Sequence, residues 1–327
     1  MDLIKEKIRK KHQIKEIKEG DIINDIFVVK IKKALRPYAK GHGFSLILSD
    51  STGSSIEYKY WGGHEEEIVR RLFDSIKNDS VIFVNGKASI YNGKLEINAD
   101  EFNILKVLLS EEYDADFIPK TKRDIEEMYA ILLSKIDSIT NKEIKDFING
   151  IMEEKGQKLK IHPGAISIHH NWRGGLLEHV LEIIEYCETS CKIYPELDRD
   201  LLITGAILHD IGKLEEIETT SRIKGTQKGQ LVGHLILGIS YISKKLDESR
   251  MDDLTKDKIL HLITSHHGKI EQGSPKEPMI PEAIALYYAD ELSSKIRELL
   301  GFIEQSRETT EDDFMYHPSK GRNIFLK

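Results

Sequence analysis

Six side chains in the second half of this sequence are able to do chemistry together: His179, His209, Asp210, His234, His266 and Asp290. His267 stands beside His266, and the six lie on or next to five apolar helical segments, His209 and Asp210 sharing one. The His209-Asp210 doublet closes an apolar run, Leu201 to Leu208, that reads as a buried helix. An imidazole and a carboxylate are costly to bury there unless something pairs with them, and a cation is the usual partner. Nine of the thirteen histidines fall between His162 and His267. One such histidine alone is more often structural than a ligand. A set of them with two aspartates on successive helices points instead to an oxygen and nitrogen cage for divalent ions.

The order and flanks of these residues resemble the H…HD…D signature of the HD-domain metal-dependent phosphohydrolases, from about Gly164 to Lys295. Further matches are Gly174-Gly175-Leu176-Leu177-Glu178-His179, His209-Asp210-Ile211-Gly212-Lys213, Gly233-His234 and Ser265-His266-His267-Gly268. They resemble the two-metal branch of that family. The resemblance implies a first ion among His179, His209, Asp210 and Asp290, with Asp210 bridging to a second held by His234 and His266 or His267. Adjacent helical residues point about 100° apart, so His266 is the favoured ligand and His267 its outer neighbour. The family implies Mn²⁺ as working ion, and the ligand chemistry would also suit Fe²⁺, Co²⁺ or Zn²⁺. Two ions about 3.5–4 Å apart would activate a water for in-line attack on a phosphodiester. Lys213 is then expected to touch a phosphate oxygen, the plain alternative being a lysine that caps its helix. Arg173 and His170, in the loop before the His179 helix, are candidates for phosphate or leaving-group contacts, the alternative being a solvent-exposed loop. His162, His169 and His261 are taken as structural, and Glu178 as a surface group or a neighbour of the ligands.

Helices must carry that cage, and from Pro163 to about Gly301 helical segments dominate. Asp124–Ile139 and Glu143–Glu154 are amphipathic, joined at Thr140-Asn141 with N-cap chemistry. The first third differs. Residues 1–18 suggest a short amphipathic helix through Ile4, Ile8, Ile14 and Ile17. Strand-like runs follow at Ile22–Leu35, Phe44–Ser49, Ser55–Trp61, Val81–Tyr91 and Lys94–Lys106, with a helix over His64–Lys77 and a hairpin signal at Asn92-Gly93. Five strands with a helix between the third and fourth is the order of an OB-fold barrel. Such barrels bind single strands by stacking bases on aromatics in a basic groove. Tyr38, Phe44, Tyr60 and Trp61 with Lys59 and Arg36 are the candidates here, although alternation puts Tyr58 and Tyr60 on one face and Lys59 and Trp61 on the other. One face must be barrel interior.

The expected architecture is therefore multidomain: an all-β OB-fold barrel with an N-terminal helix (1–110), an acidic linker (111–120), and an all-α HD domain with a C-terminal tail (121–327). An OB-fold ahead of an HD domain is similar to the YhaM family of 3′→5′ exoribonucleases, which has a similar run to His169-His170…Gly175-Leu176…His179. The resemblance implies a hydrolase acting on single-stranded RNA, or single-stranded DNA. Alternatives are a cyclic nucleotide, cyclic dinucleotide or nucleotide phosphohydrolase, and a non-catalytic nucleic-acid-binding protein with a structural metal. Charge agrees with a polyanion at one end: of the net −7, residues 1–110 hold 19 basic against 16 acidic groups and the remainder 29 against 39. Two cysteines, Cys187 and Cys191, make no disulfide framework. No apolar run is long enough to span a membrane, and a cytoplasmic location is expected.

Overall fold

The computed structural model describes residues 7–114, 116–166, 170–307 and 310–327, so His169 and the first six residues lie outside it. The chain divides into two compact units. One is Met1–Pro119 with Thr219–Ile223; the other is Lys120–Glu218 with Lys224–Lys327.

The first unit contains β1 (Ile8–Arg9), β2 (Ile22–Lys32), β3 (Arg36–Tyr38), β4 (Gly41–Ser49), β5 (Ser55–Trp61), α1 (Glu66–Ser75), β6 (Val81–Tyr91), β7 (Lys94–Asp100), β8 (Leu105–Leu108) and β9 (Tyr113–Asp114). β2 is long enough to serve two partners. Ile22 to Val28 pairs antiparallel with β6, and Val28 to Lys32 pairs antiparallel with β4 across a register shift between Val29 and Ile31. A bulge bends a strand and increases its twist, which lets one strand reach both neighbours. β4 pairs with β5, β5 runs parallel to β7, and β7 pairs with β6, so the pairing returns to β2. Ile23, Phe27, Leu46, Leu48, Tyr58, Ile82, Val84 and Ile97 alternate inward to form the core. Asn92 and Gly93, both at positive φ, make the two-residue turn between β6 and β7.

Residues 7–18 are not helical. They form β1 and a single 3₁₀ turn at Ile14–Glu16. Two buried carboxylates explain the difference. Asp25 accepts the backbone N–H groups of Lys11 and His12 at 3.0 and 2.8 Å, and Asp50 accepts that of Ile14 at 2.5 Å. These bonds hold the segment extended while Ile14 and Ile17 join the barrel core. The acidic stretch expected as a linker is also tied down: Tyr113 and Asp114 pair in parallel with Ile8 and Arg9, and Phe117 and Ile118 are buried. The expected strand Lys94–Lys106 is broken by the turn after Asp100, where Phe102 N and Asn103 N turn back on Asp100.

The second unit holds α2 (Ile125–Asp137), α3 (Lys142–Ile161), α4 (Gly175–Ile193), α5 (Arg199–Leu208), α6 (Lys213–Glu216), β10 (Ile217–Thr219), β11 (Ile223–Gly225), α7 (Gln227–Val232), α8 (His234–Asp247), α9 (Asp253–Ser265), α10 (Pro281–Arg307), β12 (Phe314–His317) and β13 (Arg322–Phe325), with Thr219–Ile223 counted in the first unit. Asp124, Asn141, Asp198 and Asp252 accept first-turn N–H groups as caps. α5 is buried from Asp200 to Leu208, with Leu202, Ile203, Ala206 and Ile207 packed among Leu177, Ile183, Leu262 and Leu286. The unit is helical with two small hairpins. The tail forms one of them and does not fray: Ile324 and Leu326 are buried, and Arg307 donates to the Leu326 carbonyl. No helix among the described residues is long and apolar enough to cross a membrane.

Candidate functional site

The helix α5 ends at Leu208, and the doublet occupies the break before α6, where Lys213 N returns to the Asp210 carbonyl at 2.9 Å. This break directs both oxygens of Asp210 into the interior. Its Oδ2 lies 3.3 Å from His209 Nε2 and 3.6 Å from His179 Nε2. Its Oδ1 lies 3.6 Å from His234 Nε2 and 3.9 Å from His266 Nε2. One carboxylate therefore faces two groups of ligand atoms: His179, His209 and Asp290 on one side, His234, His266 and His267 on the other. Asp290, on α10, stands 3.2 Å from His179 Nε2.

The hydrogen bonds fix which ring nitrogen is free. His209 Nδ1 lies 3.0 Å from the Ala206 carbonyl and His266 Nδ1 2.8 Å from that of Ile263. His234 Nδ1 is 3.1 Å from Glu216 Oε2. Carbonyl and carboxylate oxygens only accept, so all three Nδ1 atoms carry the proton. His179 Nδ1 faces Ser293 Oγ at 3.3 Å, and that hydroxyl gives its own hydrogen to Glu182 at 2.8 Å, which leaves it an acceptor towards the ring. In the neutral rings every Nε2 then offers a lone pair to the interior. His179 and His209 bring theirs within 3.3 Å of each other, an arrangement that calls for positive charge between them. His266 Nε2 is buried and has no hydrogen-bond partner among the described residues. These orphaned, inward donors beside two carboxylates fit divalent cations of the Mn²⁺ to Zn²⁺ series.

The electrostatics agree. Burial pushes the His266 imidazole down to about 3, and burial likewise lowers His179 and His267. Burial also opposes charge on His209, but Asp210 outweighs it and raises that ring. The Asp210 carboxyl sits well below its ordinary range because Lys213 and His209 overcome its burial. The His179, His266 and His267 rings, kept neutral beside carboxylates that stay ionised, suit a metal site.

Lys213 is neither a helix cap nor free. It opens α6, and its Nζ lies 2.7 Å from Asp210 Oδ2. His170, expected in an exposed loop or on a phosphate, is fully buried at φ +51°, its ring 5.1 Å from that of His179 and its Nε2 3.4 Å from Glu182. The ring is enclosed and presents no surface to solvent. Arg173 is half-buried ahead of α4, its carbonyl accepting from Thr121 N. Glu178 is buried, holding Thr121 Oγ1 at 2.7 Å and Trp172 Nε1 at 2.9 Å. His162 and His261 bond to backbone groups away from the cluster. His266 and His267 do not diverge as helical neighbours would. α9 stops at Ser265 and the chain turns at Gly268 (φ +76°), bringing the two rings within 4.5 Å. Sequence reasoning missed Glu182, Ser293, Arg297 and Glu216. Glu182 and Ser293 each lie three residues beyond a candidate ligand on the same helix, a spacing that was legible.

On the barrel, Arg36, Tyr38, Phe44, Lys59, Tyr60 and Trp61 line one groove of about 630 Å³. Only some of them are exposed. Phe44 on β4 and Tyr60 on β5 are 4% and 7% exposed and stack on each other in the core, Tyr60 because even-numbered β5 residues point inward. Trp61 is 40% exposed, its indole held by Asn98 at 2.8 Å and set edge-on to Tyr38. Lys59 is paired with Glu96 at 2.5 Å and lies over the exposed Tyr91 ring.

Comparison with known proteins agrees with both units. Residues 28–105 match the OB-fold nucleic acid binding domain model and residues 176–295 the HD domain model. The 3′-5′ exoribonuclease YhaM of Geobacillus sp. (strain WCH70) is 33% identical over 257 residues, 77% of this chain and 76% of that one. Among solved structures, the second OB-fold domain of replication protein A from Methanococcus maripaludis is 21% identical over 30% of this chain and 93% of its own, at a TM-score of 0.24. A murine DNA binding protein bound to double-stranded DNA is 16% identical over 31% of this chain and 49% of its own, at a TM-score of 0.22. By its sequence match and its order of domains, an OB-fold followed by an HD domain, this chain belongs to the YhaM family of hydrolases.

Proposed function

We propose that the chain is a metal-dependent 3′→5′ exoribonuclease that hydrolyses single-stranded RNA at the His/Asp cluster. The observation that carries this reading is Asp210, whose two oxygens face two separate groups of imidazoles. Two divalent ions there, Mn²⁺ being favoured, would supply Lewis acidity that polarises the phosphoryl oxygens and eases loss of a proton from the attacking water, making it the stronger nucleophile. His179, His209 and Asp290 would hold one ion, His234, His266 and His267 the other, with Asp210 shared. Lys213 keeps Asp210 ionised and places a cation beside the phosphate position. Arg173 is a candidate for a second phosphate contact, and His170 supports His179 from behind. On the barrel, Trp61, Tyr38 and Arg36 would receive unpaired bases and phosphates, a feature that favours a polymer over a cyclic nucleotide. The domain limits proposed are a barrel ending near Pro119 and a helical hydrolase unit after it, working in the cytoplasm.

The test uses chelator-stripped protein with Mn²⁺ restored. RNA labelled at the 3′ end is expected to release its label as a mononucleotide at once, while 5′-labelled RNA shortens stepwise. Internal cuts, or turnover of cyclic nucleotides without polymer degradation, would count against the reading. Asp210→Ala is expected to lower activity by at least about two orders of magnitude, more than loss of an outer partner of a ligand costs.

A further inference from the structure

The two groups of imidazoles are backed by acidic residues that make no part of the ligand set. Behind His234, Glu216 accepts the backbone N–H at 3.1 Å and receives the ring Nδ1–H at 3.1 Å, so it grips both ends of that residue. Behind His179 stands Ser293, whose hydroxyl lies 3.3 Å from the ring Nδ1 and donates to Glu182 Oε2 at 2.8 Å. Glu182 is itself held, by Arg297 Nε at 2.8 Å on Oε1 and by His170 at 3.4 Å on Oε2. The two supports differ in kind. Glu216 sets an anion directly on its imidazole. Glu182 is neutralised by Arg297 and reaches its imidazole only through a neutral hydroxyl.

We infer that Glu216 and the Ser293–Glu182 pair are positioning residues, each fixing one histidine in the tautomer whose Nε2 lone pair points at a metal ion. The inference rests on reading the cluster as a dinuclear centre, and it adds an inequality between the halves. An anionic partner raises the basicity of a ligand imidazole more than a hydroxyl does. Removing the charge of Glu216 therefore weakens the ion held by His234, and removing the Ser293 hydroxyl weakens the ion held by His179.

Titration of the chelator-stripped full chain with Co²⁺, followed by its visible absorption and by competition with a chelating dye, tests this apart from activity. Wild type is expected to take up two ions. Glu216→Gln keeps an acceptor but loses the charge, and should weaken one ion by about 10-fold, with Glu216→Leu nearer 100-fold and the other ion unaffected. Ser293→Ala should weaken the other ion, with Ser293→Thr restoring it. Thermal melts of the metal-free variants matching that of wild type show that the fold is not what changed. Two unaltered Co²⁺ affinities in Glu216→Leu and Ser293→Ala overturn the inference, as does equal weakening of both ions by either variant. Failure of wild type to bind Co²⁺ at all overturns the dinuclear reading itself, a separate result.

Discussion

At the scale of single residues, burial and charge pull the imidazoles of the cluster apart. His179, His266 and His267 are held neutral by burial, while Asp210 raises His209. In the unfolded chain all four would titrate near about 6.5. A depressed imidazole lets the unfolded state bind more protons as pH falls through that value, so its contribution to stability is present above about 6.5 and lost below it. The raised His209 works oppositely, contributing below about 6.5 and losing that contribution as pH rises through its folded value. Three groups outweigh one. Metal-free protein is therefore expected to melt at lower temperature at pH 5 than at pH 7.5, as thermal scans without metal would show; a higher melting temperature at pH 5 would be inconsistent with the buried neutral rings. The carboxyls of Asp210 and Asp290, also depressed, lose their contribution only below about pH 4 and do not disturb this interval.

At the scale of elements, the second group of imidazoles depends on how closely α6 meets α8. A Cβ on Gly212 would collide with the His234 carbonyl and the Gly238 N, although the φ of Gly212 is −65° and any residue could adopt it. The glycine is needed for approach and not for backbone freedom. Gly212→Ala is expected to cost about 1–3 kcal/mol in thermal unfolding through overpacking, and to displace His234 so that one ion is bound more weakly. On the barrel, alternation along β5 separates two outcomes that the residue types alone would merge. Trp61→Ala should leave the melting temperature nearly unchanged and weaken RNA binding by about 1–3 kcal/mol, on the order of tenfold to a hundredfold in Kd. Tyr60→Ala should instead destabilise the barrel by about 3–5 kcal/mol. Equal effects of the two on RNA affinity in a folded protein would refute this division.

At the scale of the whole molecule, each unit has its own apolar core, and the charge differs between them. The barrel supplies exposed aromatics and cations, and the helical unit supplies the cluster. Deleting residues 1–119 is expected to leave metal-dependent hydrolysis of a small phosphodiester while weakening RNA affinity and flattening its dependence on salt, since fewer phosphate contacts release fewer counterions. Retention of full RNA affinity by the truncated chain, measured across a salt series, would remove the barrel from substrate binding.

The sequence by itself determined that helical segments carry His179, His234 and Asp290 and that an apolar helix leads into the His209-Asp210 doublet, because apolar periodicity is a local property of the chain. It also determined the succession of strands in the barrel and that Tyr58 and Tyr60 share one face of β5 with Lys59 and Trp61 on the other, since alternation has a fixed period; burial in the fold decided which face is interior. Tertiary structure decided what local pattern cannot encode. Asp25 and Asp50 turned an apparent N-terminal helix into an extended strap by taking its backbone donors. The end of α9 at Ser265 brought His266 and His267 together where helical spacing would have parted them. The placing of Ser293 behind His179 came from two helices distant in sequence packing side by side, that of Glu216 behind His234 from α6 meeting α8, and the burial of His170 from its segment folding back against α4. Such contacts are set by the three-dimensional meeting of elements, which periodicity along the chain does not encode.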